Sequence, residues 1–239
     1  MSKKMMQAGV LAVLGLVAGG ALAQSGVYVR GDLGYAWADG AGARNVRSTA
    51  IPQLVGTVDG MKDSSIYGVG IGYRYNPNLR VDFTLAHRGD FRLEGNDSAV
   101  APAITYNADV KSTAYMFNGY WDFKDASRSF TPFVGLGIGW SENKTSSLRY
   151  VQPGAALAGQ GPGGKKNDFA WQFTAGVSFD ISKQLSVEAA YRFMDLGNFK
   201  TNPGVNSGTV AGVPWSATVD GVEGKLRSNE LNVGVRYGF

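Results

Sequence analysis

Hydrophobic and polar residues alternate one by one along most of this chain, and the alternation comes in separate runs. Eight runs stand out, at residues 26–37, 64–75, 79–88, 110–123, 130–141, 168–180, 185–194 and 225–239. Side chains of a strand point to opposite faces in turn, so period two predicts strands with one apolar and one polar face. In the first run Val27, Val29, Leu33, Tyr35 and Trp37 share a face, opposite Tyr28, Arg30, Asp32, Gly34 and Ala36. In the last, Leu231, Val233, Val235, Tyr237 and Phe239 oppose Glu230, Asn232, Gly234, Arg236 and Gly238. Short connectors with turn chemistry (76–78, 124–129, 181–184) alternate with long ones (38–63, 89–109, 142–167, 195–224) that are rich in Gly, Ala, Ser, Asn and Pro and show no amphipathic period.

A soluble barrel that encloses a ligand would alternate in the same way, with its apolar face inward. Three features point to the inverse arrangement. Gly68, Gly70, Gly72, Gly135, Gly137 and Gly139 all fall on polar faces, where a narrow lumen demands small residues. Threaded up and down, the strands gather Tyr73, Tyr75, Trp121, Phe123, Phe179, Tyr237 and Phe239 at the short-turn end. Tyr35, Trp37, Trp140, Phe169, Trp171, Tyr191 and Phe193 gather towards the long-loop end, with Val, Ile and Leu between the two sets. Two aromatic girdles flanking an aliphatic band match the two interfaces of a bilayer. The polar faces also carry balanced charge: Arg30, Arg74, Arg80, Arg88, Arg192 and Arg236 against Asp32, Asp82, Asp122, Asp180, Glu188 and Glu230. In a closed lumen these twelve are expected to form an ion-pair network, because unpaired buried charge is costly. The predicted fold is all-β: an eight-stranded antiparallel up-and-down transmembrane β-barrel with short periplasmic turns and four long extracellular loops. Its last strand is expected to pair with both its predecessor and the first, so that no backbone edge faces lipid.

The start of the chain reads differently. Met1-Ser2-Lys3-Lys4 is basic, residues 8–18 are almost wholly apolar, and Ala21-Leu22-Ala23 is a small-residue cleavage site. This predicts a secretory signal peptide over 1–23 and an outer-membrane barrel domain over 24–239. The apolar run is too short for the ~20 residues of a spanning helix. The 239 residues contain no Cys, which removes thiolate and disulfide chemistry, and loss of Lys3 and Lys4 with the leader brings the formal charge from +4 to about +2, too small to argue for a nucleic-acid partner.

The stretches "LNVGVRYGF" (231–239), "AYRFMDLGNF" (190–199), "YGVGIGYRY" (67–75) and "TPFVGLGIGW" (131–140) resemble strands of the opacity-type porin family of proteobacterial surface antigens, which in turn is similar to the barrel half of OmpA. The likeness covers the chain from residue 24 on. It implies an outer-membrane location in a Gram-negative cell, and a C-terminal signal in Tyr237 and Phe239 read by the outer-membrane assembly machinery. It specifies architecture strongly and biochemistry weakly.

Candidate chemistry is sparse. The single His, His87, has the parity of Phe83 and Leu85 and is expected to face lipid headgroups rather than serve a lipid A-modifying site. "GQGPGGKK" (159–166) approaches a phosphate-binding loop but lacks the following Ser/Thr and a helix, so it is read as a loop tip. No acidic spacing suggests a metal, and no cofactor is expected. Arg44, Arg47, Arg149, Lys165, Lys166 and Lys200 fall in the long loops and are candidate contacts for lipopolysaccharide phosphates. The expected role is a structural or surface-interaction protein with a plugged lumen, its partners outer-membrane lipids, lipopolysaccharide and an extracellular ligand. A narrow porin-like channel is the alternative.

Overall fold

The computed structural model describes residues 26–38, 44–45, 57–97, 104–125, 127–152, 156–219 and 221–239. The expected signal peptide (1–23) lies outside them. These residues form strands β1 (Val27–Ala38), β2 (Arg44–Asn45), β3 (Thr57–Met61), β4 (Ser64–Arg74), β5 (Leu79–Asp97), β6 (Ile104–Asp122), β7 (Thr131–Thr145), β8 (Leu148–Gln152), β9 (Leu157–Gly161), β10 (Gly164–Asp180), β11 (Leu185–Lys200), β12 (Gly204–Val210), β13 (Val213–Val219) and β14 (Val222–Gly238). Eight of them, β1, β4, β5, β6, β7, β10, β11 and β14, form an antiparallel ring. The ring closes between β14 and β1, from Tyr28↔Gly238 to Ala38↔Ser228, with Phe239 N–H donating to the Val27 carbonyl at 3.0 Å.

The turns form from their own side chains. Asn76 Oδ1 accepts from the backbone N–H groups of Asn78 and Leu79, both at 2.8 Å, and Ser182 Oγ accepts from those of Gln184 and Leu185 at 3.2 and 3.0 Å. Such Asx- and Ser-type turns fix where each strand reverses, and therefore the register that follows.

Through the lower and middle barrel the apolar face points outward. Leu33, Ile71, Leu136, Ile138 and Val233 are all more than half exposed, while Arg30, Arg80 and Glu230 on the opposite parity are buried. Register aligns the girdles: Tyr115 pairs with Trp140, and Trp140 with Phe169, at the long-loop end; Val27 pairs with Tyr73 and Leu185 with Tyr237 at the other. The lumen is tight enough to require glycine. A Cβ on Gly72 would lie 2.4 Å from the Tyr28 ring, and one on Gly135 2.4 Å from the Tyr120 ring.

The structure departs from the sequence reading above the upper girdle. The long connectors were expected to lack strands; instead β5, β6, β7, β10, β11 and β14 run on, and β8, β9, β12 and β13 build a further sheet in the order β13-β12-β9-β8-β6. Here the dressing inverts. Phe91, Leu93, Val110, Met194, Leu196, Phe199 and Leu226 form a buried apolar cluster inside. The outer surface carries ion pairs such as Lys111–Asp90 at 3.2 Å, Arg92–Asp109 at 3.4 Å and Lys144–Glu142 at 2.6 Å. Two bulges hid this from a period-two reading. Between Arg88 and Phe91 the residues Gly89 and Asp90 face Lys111 alone, so Arg88 and Phe91, of opposite parity, both turn inward. Between Asp195 and Asn198 the same happens on β11, where Gly197 takes φ +72° and a Cβ would meet Asp168 at 2.5 Å.

This inversion predicts a crossed pattern in urea unfolding from lipid vesicles. Val233→Arg, facing lipid, costs about 2–4 kcal/mol, whereas Asn232→Ala, facing the lumen, costs far less. Higher on the same strand the polarity reverses: Leu226→Ala costs about 2–5 kcal/mol, and Arg227→Ala leaves stability nearly unchanged.

Candidate functional site

The polar faces of the ring converge in the lumen as two charged clusters joined by an uncharged layer. In the lower cluster Arg30 of β1 reaches Asp32 at 2.7 Å, Asp82 of β5 at 3.1 Å and Glu188 of β11 at 3.5 Å. Arg80 pairs with Asp122 of β6 at 3.0 Å and with Glu188 at 3.2 Å, and Arg236 of β14 also pairs with Glu188. Glu188 therefore ties together arginines from three strands. Aromatic side chains complete the cross-section. The Arg80 guanidinium lies 4.3 Å from the centre of the Tyr120 ring and 4.7 Å from that of Phe133, and Tyr28 O–H donates to Asp82 at 3.1 Å. Above this, Asn118 donates to Asp82 at 2.7 Å and to Thr84 at 3.0 Å, while Gln172 donates to Asn118 at 2.7 Å. In the upper cluster Arg88 holds Glu230 in a two-pronged contact of 2.6 and 3.2 Å. Arg192 reaches the same carboxylate at 3.4 Å and Ser228 donates to it at 2.8 Å.

Ten of the twelve lumen residues picked from sequence are thus brought together: Arg30, Arg80, Arg88, Arg192 and Arg236 with Asp32, Asp82, Asp122, Glu188 and Glu230, five charges of each sign. Arg74 and Asp180 are not part of the network. They sit at the short-turn ends of β4 and β10, where the strands meet solvent; Asp180 pairs with Lys124 at 2.9 Å and accepts from Ser186 at 2.7 Å. The network also takes in Tyr28, on the polar face read from sequence, and Asn118, Tyr120, Gln172 and Ser228, whose inward parity marks them as surely as it marks the charges.

The candidate basic residues of the loop end are scattered. Arg47 lies outside the described residues, and Arg44 is in the two-residue β2, paired through its backbone with Glu223. Arg149 is exposed on β8, and Lys200 is half-buried at the end of β11. Lys165 pairs with Glu142 at 2.5 Å, and Lys166 with Glu223 and, at 3.7 Å, with Asp168. The two lysines of "GQGPGGKK" belong to β10 rather than to a loop tip. Lys144 and Lys165 hydrogen-bond the Glu142 carboxylate and hold its pKa below the usual range. Lys62, Arg92, Lys111, Lys144, Lys225 and Arg227, each paired with an acid, complete an outer belt of mixed charge that the sequence reading did not collect. His87 faces outward, its Nδ1 2.9 Å from Thr113 Oγ1 and its ring 5.1 Å from that of Tyr67. Among the described residues no three His, Asp or Glu side chains form a metal-sized cluster.

The family described as outer membrane protein beta-barrel domain matches residues 9–239. The chain belongs to that family. It is similar to the outer membrane protein PagN of Salmonella typhimurium, with 27% identity over 180 residues that cover 72% of each chain. It is also similar to a Rickettsia conorii protein bearing the name "Putative adhesin RC1281", with 29% identity over 136 residues, 55% of this chain and 53% of that one. Among solved structures, OprG of Pseudomonas aeruginosa shares the fold at TM-score 0.54 and 11% identity, covering 90% of this chain and 97% of its own. The barrel resides in the outer membrane of a Gram-negative cell, and in such barrels the short turns face the periplasm and the long-loop end faces outward.

Loss of Glu188 tests the lower cluster. Glu188→Ala removes the carboxylate shared by three buried guanidinium groups, leaves Arg236 without an acidic partner, and is expected to cost about 3–5 kcal/mol in urea unfolding, whereas Lys144→Ala on the exposed belt is expected to leave the midpoint where it was.

Proposed function

We propose that this protein is a surface-interaction barrel: a closed, rigid post that presents its outward sheet and belt to lipopolysaccharide and to extracellular ligands. One observation carries the reading. The lumen is filled at two levels by paired charges and at a third by apolar side chains, so the outer end is a solid platform rather than a pore mouth. A platform with a dry core holds strands β8, β9, β12 and β13 in fixed positions, and loops on a rigid scaffold are suited to recognition. The adhesin name carried by the Rickettsia relative is in keeping with this role, and the name of PagN with the outer-membrane location. At the loop end, Lys165 and Lys166 are placed to exchange their carboxylate partners for lipopolysaccharide phosphates, and Arg149 and Lys200 to add to them, since phosphates bind such groups through charge-assisted hydrogen bonds. At the other end Tyr237 and Phe239, with ring centroids 5.3 Å apart, serve as the strand signal for the assembly machinery.

Two measurements test the proposal. Pure protein in planar bilayers is expected to give no large, stable single-channel steps; regular steps would instead establish the porin-like reading. Replacing residues 204–219 by a short turn is expected to abolish surface binding of cells expressing the protein while the barrel still folds, and retention of full binding would remove the sheet from the site.

A further inference from the structure

We propose that the periplasmic mouth of this barrel is a binding site for a phosphate group, that of a phospholipid headgroup in the inner leaflet of the outer membrane. A cavity of about 510 Å³ opens there beneath the lower ion-pair cluster. Its walls include Arg74, Lys124, Lys183 and Arg236, and Asp180 is the one acidic side chain among them. Asp180 is already engaged by Lys124, and Arg236 by Glu188.

Two cations are left over. Lys183, in the exposed turn 181–184, has no acidic partner among the described residues. Arg74 has none either, and its Nε is buried without a hydrogen-bond partner. Arg74 also stands directly across the β4–β5 ladder from Arg80, an opposition of like charges that destabilises a strand pair. Arg80 has Asp122 and Glu188 to answer it; Arg74 has only the cavity. A half-buried arginine whose Nε is an unmet donor, lining the same polar cavity as a second cation, is suited to an oxyanion that accepts several hydrogen bonds at once.

The height of the site identifies the anion. Val27 and Phe239 also line the cavity, and both belong to the apolar, lipid-facing parity of their strands. Tyr73, Tyr75 and Phe123 mark the same end with exposed aromatic rings, the level at which phospholipid headgroups lie. The opening therefore joins the lumen mouth to the bilayer edge. A phosphodiester can enter while its acyl chains stay against the outer face beside Phe239.

The barrel purified from outer membranes can be titrated by calorimetry with short-chain phosphatidylglycerol, with the matching diacylglycerol that lacks phosphate, and with inorganic phosphate. The lipid is expected to bind and the diacylglycerol not. Arg74→Gln combined with Lys183→Gln is expected to weaken lipid binding at least tenfold, with heat-dependent gel migration reporting the fold. Lys183→Glu alone, in an exposed turn, provides a variant that leaves the barrel wall untouched and should weaken binding in the same direction. Arg128→Gln, on the neighbouring turn and paired with Asp125 at 3.4 Å, is expected to change nothing. Lipid binding that persists in millimolar inorganic phosphate supports the lipid as the source; displacement by the free anion supports a site for phosphate itself. Equal binding of diacylglycerol, or undiminished binding by both Lys183 variants, overturns the assignment.

Discussion

The structure depends on one constraint: hydrocarbon offers no hydrogen bonds, so every backbone N–H and C=O within it must find a partner in the protein. The β14–β1 ladder meets that constraint, turning two strand edges into one continuous wall. Closure at eight strands then dictates much else. It makes the lumen too narrow for bulk on every strand, which is why Gly72 and Gly135 stand opposite Tyr28 and Tyr120. It also forces polar side chains that would otherwise be hydrated to satisfy one another across a few ångströms.

The ten lumen charges answer that second demand by balancing in number and pairing across strands. Five arginines meet five carboxylates, and Glu188 and Glu230 each serve more than one guanidinium. Such buried pairs are weak evidence for stability in themselves, since apolar residues of equal volume often serve as well. What they provide here is register. A one-residue slip of β11 would turn Glu188 to the lipid and leave arginines from β1, β5 and β14 without their shared partner.

Parity made most of the transmembrane wall legible. Val233 out and Asn232 in, or Leu33 out and Asp32 in, can be read from order alone, and so can the aromatic girdles. The outer third was not legible, because a single extra residue at Gly89–Asp90, and another at Leu196–Gly197, resets the alternation. Counting across a bulge assigns the wrong face to all that follows, and an ordered sheet then looks like a Gly-rich loop. Arg74 and Asp180 failed for a different reason. Their facing was right, but order says nothing of how far a strand end protrudes into solvent, and that distance separates them from the lumen network. Partners across the barrel, such as Arg88 with Glu230, 142 residues apart, follow only from the closed ring.

The inversion of dressing at the upper girdle has a mechanical consequence. A hull painted with a waterline has only one depth at which it floats level. On this barrel the line runs between Trp140 and Glu142, adjacent outward positions on one strand. Sinking by that one pleat repeat, roughly 7 Å at strand rise, would drag Lys144 and Lys165 towards oil; rising by as much would lift Trp140 and Phe169 clear of it. The sheet beyond β7 and β10 is thereby carried at a set elevation, and whatever docks on it meets the cell at a fixed stand-off.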